Sequence, residues 1–389
     1  MRITFAVPHS GCVYWRCRLP ARMISKLGLS EVRIFDGFEM SVSEMEEMLN
    51  WGDVIVQQSP MGIQTVANTV KFKQSGKTVI GDYDDLSFSL SPFNPAYRTL
   101  GLQEVKINYR GFDEMLWKDG RDGFVIKENY FRYKSLQDLL HTFDAVTTST
   151  KFIKNKYKEF NENIYILPNS IDFDLFKPFP KKRNDQIRIG WTASDSHYAE
   201  IWMVKRIMRK VFDKYGDKIK FVLLGNLTEL YSEFKSHELE RHDFIGLDVY
   251  PLKQAALNLD IGLCPLDNIE FNLAKSPLKW SEYAALKIPS VCSRLEPYTC
   301  VEEGITGLLA ANEGEFVDKI CQLVEDEKLR STIANNAYEK NYSDYNLEKN
   351  ITLWVEAYEQ AREKCELPLL DREALVKDIP RTLQTSDIK

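Results

Sequence analysis

Lys275-Ser276-Pro277-Leu278-Lys279-Trp280-Ser281-Glu282-Tyr283-Ala284-Ala285-Leu286-Lys287-Ile288-Pro289 reads as a helix with a marked start. Ser276 is a candidate N-cap, and Pro277 suits the first helical position, where its N–H is not missed. Lys279 then falls at the third helical position. A cation there opposes the helix dipole, and a capping box would have Glu. A bound anion would account for it: free backbone N–H groups, with Lys275 or Lys279, make a phosphate site. Glu282 lies one turn on, on the same face, where it could accept hydrogen bonds from a ribose diol. From spacing alone, a solvated i,i+3 pair is the simpler reading of Lys279 and Glu282.

Upstream, Leu167-Pro168-Asn169-Ser170-Ile171-Asp172-Phe173-Asp174-Leu175-Phe176-Lys177-Pro178 ends a strand in a tight Pro-Asn turn. Short β-branched runs alternate with helical periods on both sides of it. Strands are expected at 3–8, 32–35, 54–57, 78–82, 145–148 and 164–167, and again at 187–191, 220–224, 244–245, 261–265, 290–293 and 307–309. Helices are expected between them, at 19–27, 42–49, 63–75, 135–142 and 151–160, then at 199–214, 252–257, 278–286, 313–325 and 327–338. Strands alternating with helices predict parallel sheets covered on both faces. The fold class is therefore α/β, with two doubly wound domains at 1–175 and 187–345 and a Pro-rich, charged linker at 176–186. A last helix at 346–370 places Ile351, Trp354, Val355 and Tyr358 on one face, and a charged tail follows at 371–389. Residues 87–133 break the alternation with Pro, Gly and many aromatics. A long insert at a strand's carboxyl end lies where α/β crevices form, so it reads as functional.

The chain has 389 residues and a net charge of 51 − 57 = −6, with 44% apolar and 12% aromatic residues. That profile excludes bulk disorder and fibres. The longest apolar runs fall far short of the ~20 residues of a membrane span. Residues 1–8 turn polar too quickly for a signal peptide, so a cytoplasmic location is expected. The seven cysteines are scattered and form no Cys-x-x-Cys pair, so neither a disulfide nor a zinc framework is expected. The mild acidity argues against a nucleic-acid coat and leaves room for a local basic groove.

The two quoted stretches together resemble the retaining glycosyltransferases of the GT-B fold, specifically family 4, the glycosyl transferases group 1. That family's Pro-Asn-Gly-Val/Ile-Asp hinge is similar to Pro168–Asp172 followed by Phe176 and Pro178, with Ser170 in place of Gly. Its Ser-Pro-x-Lys-hydrophobic-x-Glu-Tyr segment is similar to 276–289. The segment 187–194, followed by His197, and Glu303-Gly304-Ile305-Thr306-Gly307-Leu308-Leu309 match two further family segments in kind. The resemblance covers roughly residues 140–340.

It implies two Rossmann-like domains facing a cleft, the second holding a nucleotide-sugar, and a last helix crossing back to the first. Carried over, Glu282 matches the second Glu of the family's Glu-x7-Glu motif, expected at the donor ribose. The first Glu is replaced by Ala274, which puts the sugar-side contact and the donor sugar in question. Ser276 and Lys279 are the expected diphosphate contacts, with Lys275 beside them. Gly190, Thr192 and Ser194 would form a loop close to the phosphates, with His197 nearby. The family's Arg/Lys pair has no clear counterpart; Lys205 and Arg206 are stand-ins within a helix. In the loop after the first strand, Gly11 would let the backbone approach the cleft. Arg16 and Arg18 would meet a donor phosphate or an anionic acceptor, or else be solvated. Asp82-Tyr83-Asp84-Asp85 has the Asp-x-Asp pattern by which the other glycosyltransferase fold holds a metal. In the GT-B reading, Asp84 and Asp85 face the cleft as acceptor contacts or a base; a helix-cap cluster is the plainer alternative.

The expected activity is transfer of a sugar to an acceptor hydroxyl with retention, with Lys279, Asp84 and Asp85 as catalytic candidates. No cofactor or metal site is expected, Mg²⁺ being compatible but not essential. The acceptor is open: a glycan, a lipid-linked molecule, a protein or a modified nucleic acid. Three alternatives stand beside this reading: a glycosyltransferase acting on nucleic-acid bases, a nucleotide-sugar epimerase, and a nucleotide-sugar binding module without turnover.

Overall fold

The computed structural model describes residues 1–8, 11–36, 41–109, 112–193 and 195–365. The first domain runs β1 (Arg2–Val7), α1 (Leu19–Lys26), β2 (Glu31–Asp36), α2 (Val42–Trp51), β3 (Val54–Gln58), α3 (Ile63–Gln74) and β4 (Thr78–Tyr83). It continues with α4 (Tyr97–Leu100), β5 (Val105–Tyr109), β6 (Phe112–Trp117), α5 (Ile126–Thr142), β7 (Ala145–Thr148), α6 (Lys151–Tyr157) and β8 (Ile164–Ile166). Its sheet has the order β2-β1-β3-β4-β7-β8, with every neighbour parallel. β3 and β4 are buried along their whole length, as a sheet covered on both faces requires.

The second domain runs β9 (Ile187–Thr192), α7 (Ile201–Tyr215), β10 (Ile219–Leu224), β11 (Leu239–His242), α8 (Tyr250–Ala256) and β12 (Ile261–Cys264). Then come α9 (Glu270–Leu273), α10 (Leu278–Ala285), β13 (Ser290–Ser293), β14 (Leu308–Ala310), α11 (Glu313–Glu325) and α12 (Glu327–Asp344). Its all-parallel sheet has the order β11-β10-β9-β12-β13-β14. α7 shows why the helices dock: Ile201, Val204, Ile207, Met208, Val211 and Phe212 recur at helical spacing and are buried. The order reverses between β9 and β12, and in the first sheet between β1 and β3. At such switch points, crevices open at the strands' carboxyl ends.

The chain crosses between domains twice. The crossings touch, with Ile171 N donating to Tyr345 O at 2.7 Å and Leu347 N to Ile171 O at 2.9 Å. The second crossing leads into α13 (Leu347–Cys365), which packs on the first domain. Its Ile351, Trp354, Val355 and Tyr358 are buried, with Tyr358 edge-on to Phe5 at 6.2 Å. Residues 366–389, which include the expected tail, lie outside the described residues.

Two expectations are corrected. No strand forms at 244–245; the strand is β11, four residues earlier, and Phe244 is a half-exposed ring on the loop after it. β11 is a polar edge strand with only Leu239 buried, so hydropathy marks the wrong segment. The insert ends sooner than expected, because α5 starts at Ile126, not at 135. The turns carrying Tyr130, Phe131 and Tyr133 are helical. The remaining aromatics pack on each other: Trp117 and Phe124 both lie against Tyr97, and Trp117 Nε1 donates to Pro92 O at 2.7 Å.

Candidate active site

β9 ends at Thr192, on the switch point of the second sheet. α10 begins one residue later than the sequence suggests: Pro277 holds the N-cap position, and no side chain caps the helix. Trp280, Tyr283 and Ala284 face the core, and Lys279 and Glu282 share the face turned to Thr192. Lys279 Nζ donates to Thr192 Oγ1 at 3.0 Å and to Glu282 Oε2 at 3.2 Å. Tyr250 OH donates to the same carboxylate oxygen at 2.8 Å. Burial first, and Glu282 second, push the Tyr250 phenol well up, so it stays a donor. The pair is therefore not solvated: the side chains are 19% and 4% exposed. Glu282 Oε1 takes no hydrogen bond from the described residues.

Three more expected residues border this group. Lys275 Nζ sits 4.6 Å over the Phe271 ring and forms no ion pair among the described residues. Its charge acts on Asp85 across the cleft and on His197 and Glu200. His197 lies in a 3₁₀ segment after β9 with its ring edge-on to Trp191. Ser276 is no cap; its Oγ accepts from Asn169 Nδ2 at 2.9 Å, across the cleft. Ser194 lies outside the described residues.

Two expected donor contacts are corrected. Gly190 is inside β9, and a Cβ there would collide with Leu259, so the glycine is needed for strand packing. Arg16 is fully buried. Its Nη2 and Nε donate to Asp82 at 2.6 and 3.1 Å, and its Nη1 donates to Leu167 O at 2.5 Å and to Asn169 Oδ1 at 3.0 Å. The guanidinium lies 4.6 Å over the Trp354 ring. With no exposed surface, it offers nothing to a phosphate. Burial opposes this cation, but Asp82 outweighs it, so Arg16 stays charged. Lys205 and Arg206 are engaged in ion pairs with Glu233 and Glu313.

The first-domain face lies at the end of β4. Asn169 Nδ2 donates to Asp84 Oδ1 at 3.0 Å, so one amide joins Asp84 to Ser276 of the other domain. Asp85 Oδ2 accepts from Cys12 Sγ at 3.5 Å. Burial, then Asp84, push the Asp85 carboxyl up against the pull of Lys275. Gly11 is exposed, and nothing crowds it. Further straps join the domains: Thr150 Oγ1 donates to Ala274 O at 3.0 Å, and Ser89 Oγ to Glu270 Oε2 at 2.7 Å. The sequence did not single out Asn169, Tyr250 or Glu200 as site residues. Asn169 stood within the quoted turn, whereas the other two are brought in by tertiary packing.

No model of a known protein family matches the chain, and no curated protein is similar to it. Solved structures are. Sucrose-phosphate synthase from Thermosynechococcus elongatus superposes with a TM-score of 0.65 over 92% of this chain and 98% of that one, at 12% identity. The chain has the GT-B fold. HepE from Anabaena, crystallised with UDP and glucose, gives a TM-score of 0.61 over 92% and 100% of the two chains at 13% identity. A glycosyltransferase from Rickettsia africae gives 0.59 over 92% and 98% at 11% identity. Among the described residues, no helix is long and apolar enough to cross a membrane.

Proposed function

We propose that this GT-B chain is a glycosyltransferase that moves a sugar from a nucleoside-diphosphate sugar to an acceptor hydroxyl with retention of configuration. The observation that carries it is the Lys279–Glu282–Thr192–Tyr250 group at the switch point, with Lys275 beside it in no ion pair among the described residues. Neighbours of this fold were crystallised with UDP and with UDP-glucose. In this reading Lys275 and Lys279 bind the diphosphate and stabilise charge developing on it. Glu282 Oε1 accepts from the ribose. The leaving phosphate takes the acceptor's proton on the same face, so no enzyme nucleophile is needed. Asp84 and Asp85 contact the acceptor across the cleft, and closure excludes water. The two lysines supply the positive charge, so donor binding is metal-independent. A cytoplasmic location belongs to this proposal.

One observation favours a second reading, a binding module without turnover. Ala274, where the resemblance expects a sugar-side Glu, is buried, with its carbonyl held by Thr150. Calorimetry with UDP, GDP, ADP and their sugar conjugates, with and without Mg²⁺, tests both. Metal-independent binding of one diphosphate, with slow hydrolysis of its sugar conjugate, is expected of the transferase. Binding without hydrolysis or transfer selects the module, and no binding sinks both.

A further inference from the structure

Glu200 is a fully buried carboxylate that nothing above employs. Its Oε1 accepts from Asn272 Nδ2 at 2.6 Å and from Asp267 N at 3.1 Å. Its Oε2 lies 3.4 Å from His197 Nδ1. Neither atom has a hydrogen-bond partner among the described residues. A buried charge with half its acceptor capacity unused is costly, and an apolar side chain of that size would stabilise the fold better. What the carboxylate does have is one histidine, itself largely buried, close enough to Lys275 and Lys279 to feel both charges.

We propose that Glu200 is a positioning residue that holds His197 with Nδ1–H toward its carboxylate and so makes the imidazole the third cation around the donor diphosphate. The inference rests on the donor reading above. The groups facing His197 set the balance. Burial lowers its affinity for a proton, Glu200 raises it, and Lys275 and Lys279 lower it again; the net direction is down. The free protein therefore carries a neutral imidazole with its proton on Nδ1. A diphosphate between Lys275 and Lys279 cancels the charges that oppose protonation. The imidazole then takes one proton from solvent and stands as a cation between the phosphate and Glu200. Glu200 itself stays ionised: burial pushes its carboxyl up, but His197 and the Asp267 N–H outweigh it. A carboxylate behind a histidine ring fixes its tautomer in this way at other sites.

Glu200→Gln keeps an acceptor for Asn272 and Asp267 but turns an amide N–H toward His197. Nδ1 must then accept, and the tautomer reverses. The test is the NMR titration of the imidazole, assigned among the five histidines with His197→Gln, without and with the diphosphate that binds from the panel of UDP, GDP and ADP. In the native chain the imidazole titrates at least tenfold more weakly in proton concentration when free than when the diphosphate is bound. In E200Q that rise is largely lost, and the alkaline limb of donor hydrolysis moves to lower pH by the same amount, with kcat falling more than KM. E200Q should have no further effect in an H197Q background. If E200Q does not fold, Glu200→Asp, which keeps the charge but sets it one methylene further from Nδ1, should lose part of the rise, and an unchanged rise overturns the dyad. Diphosphate binding with an imidazole that titrates alike in both chains overturns the dyad alone. Equal losses from E200Q with and without His197 overturn it too. No diphosphate binding overturns the donor reading and the dyad with it.

Discussion

Two cation–carboxylate pairs, one in each domain, are built differently. Arg16–Asp82 in the first domain is fully buried and saturated. Asp82 Oδ1 also accepts from Thr147 Oγ1 at 2.6 Å, and Arg16 Nη1 also donates to Leu167 O and Asn169 Oδ1. Lys279–Glu282 in the second domain is partly open, and among the described residues nothing donates to Glu282 Oε1. A saturated pair can only hold the fold. An unsaturated pair at a sheet's switch point can hold a ligand. Arg16 reaches the site through Asn169, whose amide it orients toward Asp84 and Ser276.

The largest effect should come from breaking the saturated pair. Arg16→Ala or Asp82→Ala strands a buried charge and should cost about 3–5 kcal/mol in urea denaturation. The double variant Arg16→Met with Asp82→Leu should recover part of that, because it leaves no unpaired ion. Single variants within about 1 kcal/mol of the native chain would mean that this pair is as dispensable as a surface one. Lys279→Ala should do the opposite. Diphosphate binding should weaken by about 1.5–3 kcal/mol, the range of a hydrogen bond to a charged group, while stability changes far less than in Arg16→Ala. Unchanged affinity in both Lys279→Ala and Glu282→Ala would remove the site from this face.

The asymmetry also marks what the sequence can and cannot disclose. The parallel sheets and the two sets of strands were legible because they rest on local periodicity and turn chemistry, which act within a few residues; the return of the last helix to the first domain came only with the family resemblance. Lys279 stood out as a candidate through its wrong-sign charge at a helix start, although spacing alone favoured a solvated pair with Glu282. Arg16 was misread because its side chain is one of several polar groups in a loop, and only the end of β8, more than a hundred residues on, decides that it is buried. Gly190 was misread for the same reason: Leu259, far along the chain, closes the space over it. Spacing identifies residues able to bind; partners from distant strands decide whether that ability is already used.

Asp85 lies between the two extremes. Burial first, and Asp84 second, hold its carboxyl above the ordinary range. A raised carboxyl favours the folded state below its unfolded pKa of about 4, and that contribution is lost as pH rises through the folded value. Ionised Asp85 therefore weakens the fold at neutral pH. Asp85→Asn should raise stability at pH 7 by about 0.5–2 kcal/mol while lowering transfer, the trade expected of a strained site residue. The gain should vanish below about pH 4. Equal stability of the two chains at pH 7 would make Asp85 an ordinary exposed cap.

The smallest effect separates charge pairing from burial. Arg188 on β9 forks onto Glu240 on β11 at 2.8 and 2.7 Å, a geometry as good as that of Arg16–Asp82, but Glu240 is one-third exposed. The Arg188 hydrogen bonds bring the Glu240 carboxyl down to about 2 from an ordinary 4.5, against burial. A lowered carboxyl stabilises above its unfolded pKa, and the contribution fades as pH falls from about 4.5 toward about 2. Water and salt screen an exposed pair, so Glu240→Gln should cost only about 0.2–1 kcal/mol at pH 7. The loss should shrink in 1 M NaCl and disappear near pH 2. If Glu240→Gln cost as much as Asp82→Ala, fork geometry rather than burial would set the strength of these pairs, and the contrast between the two faces of the cleft would lose its physical basis.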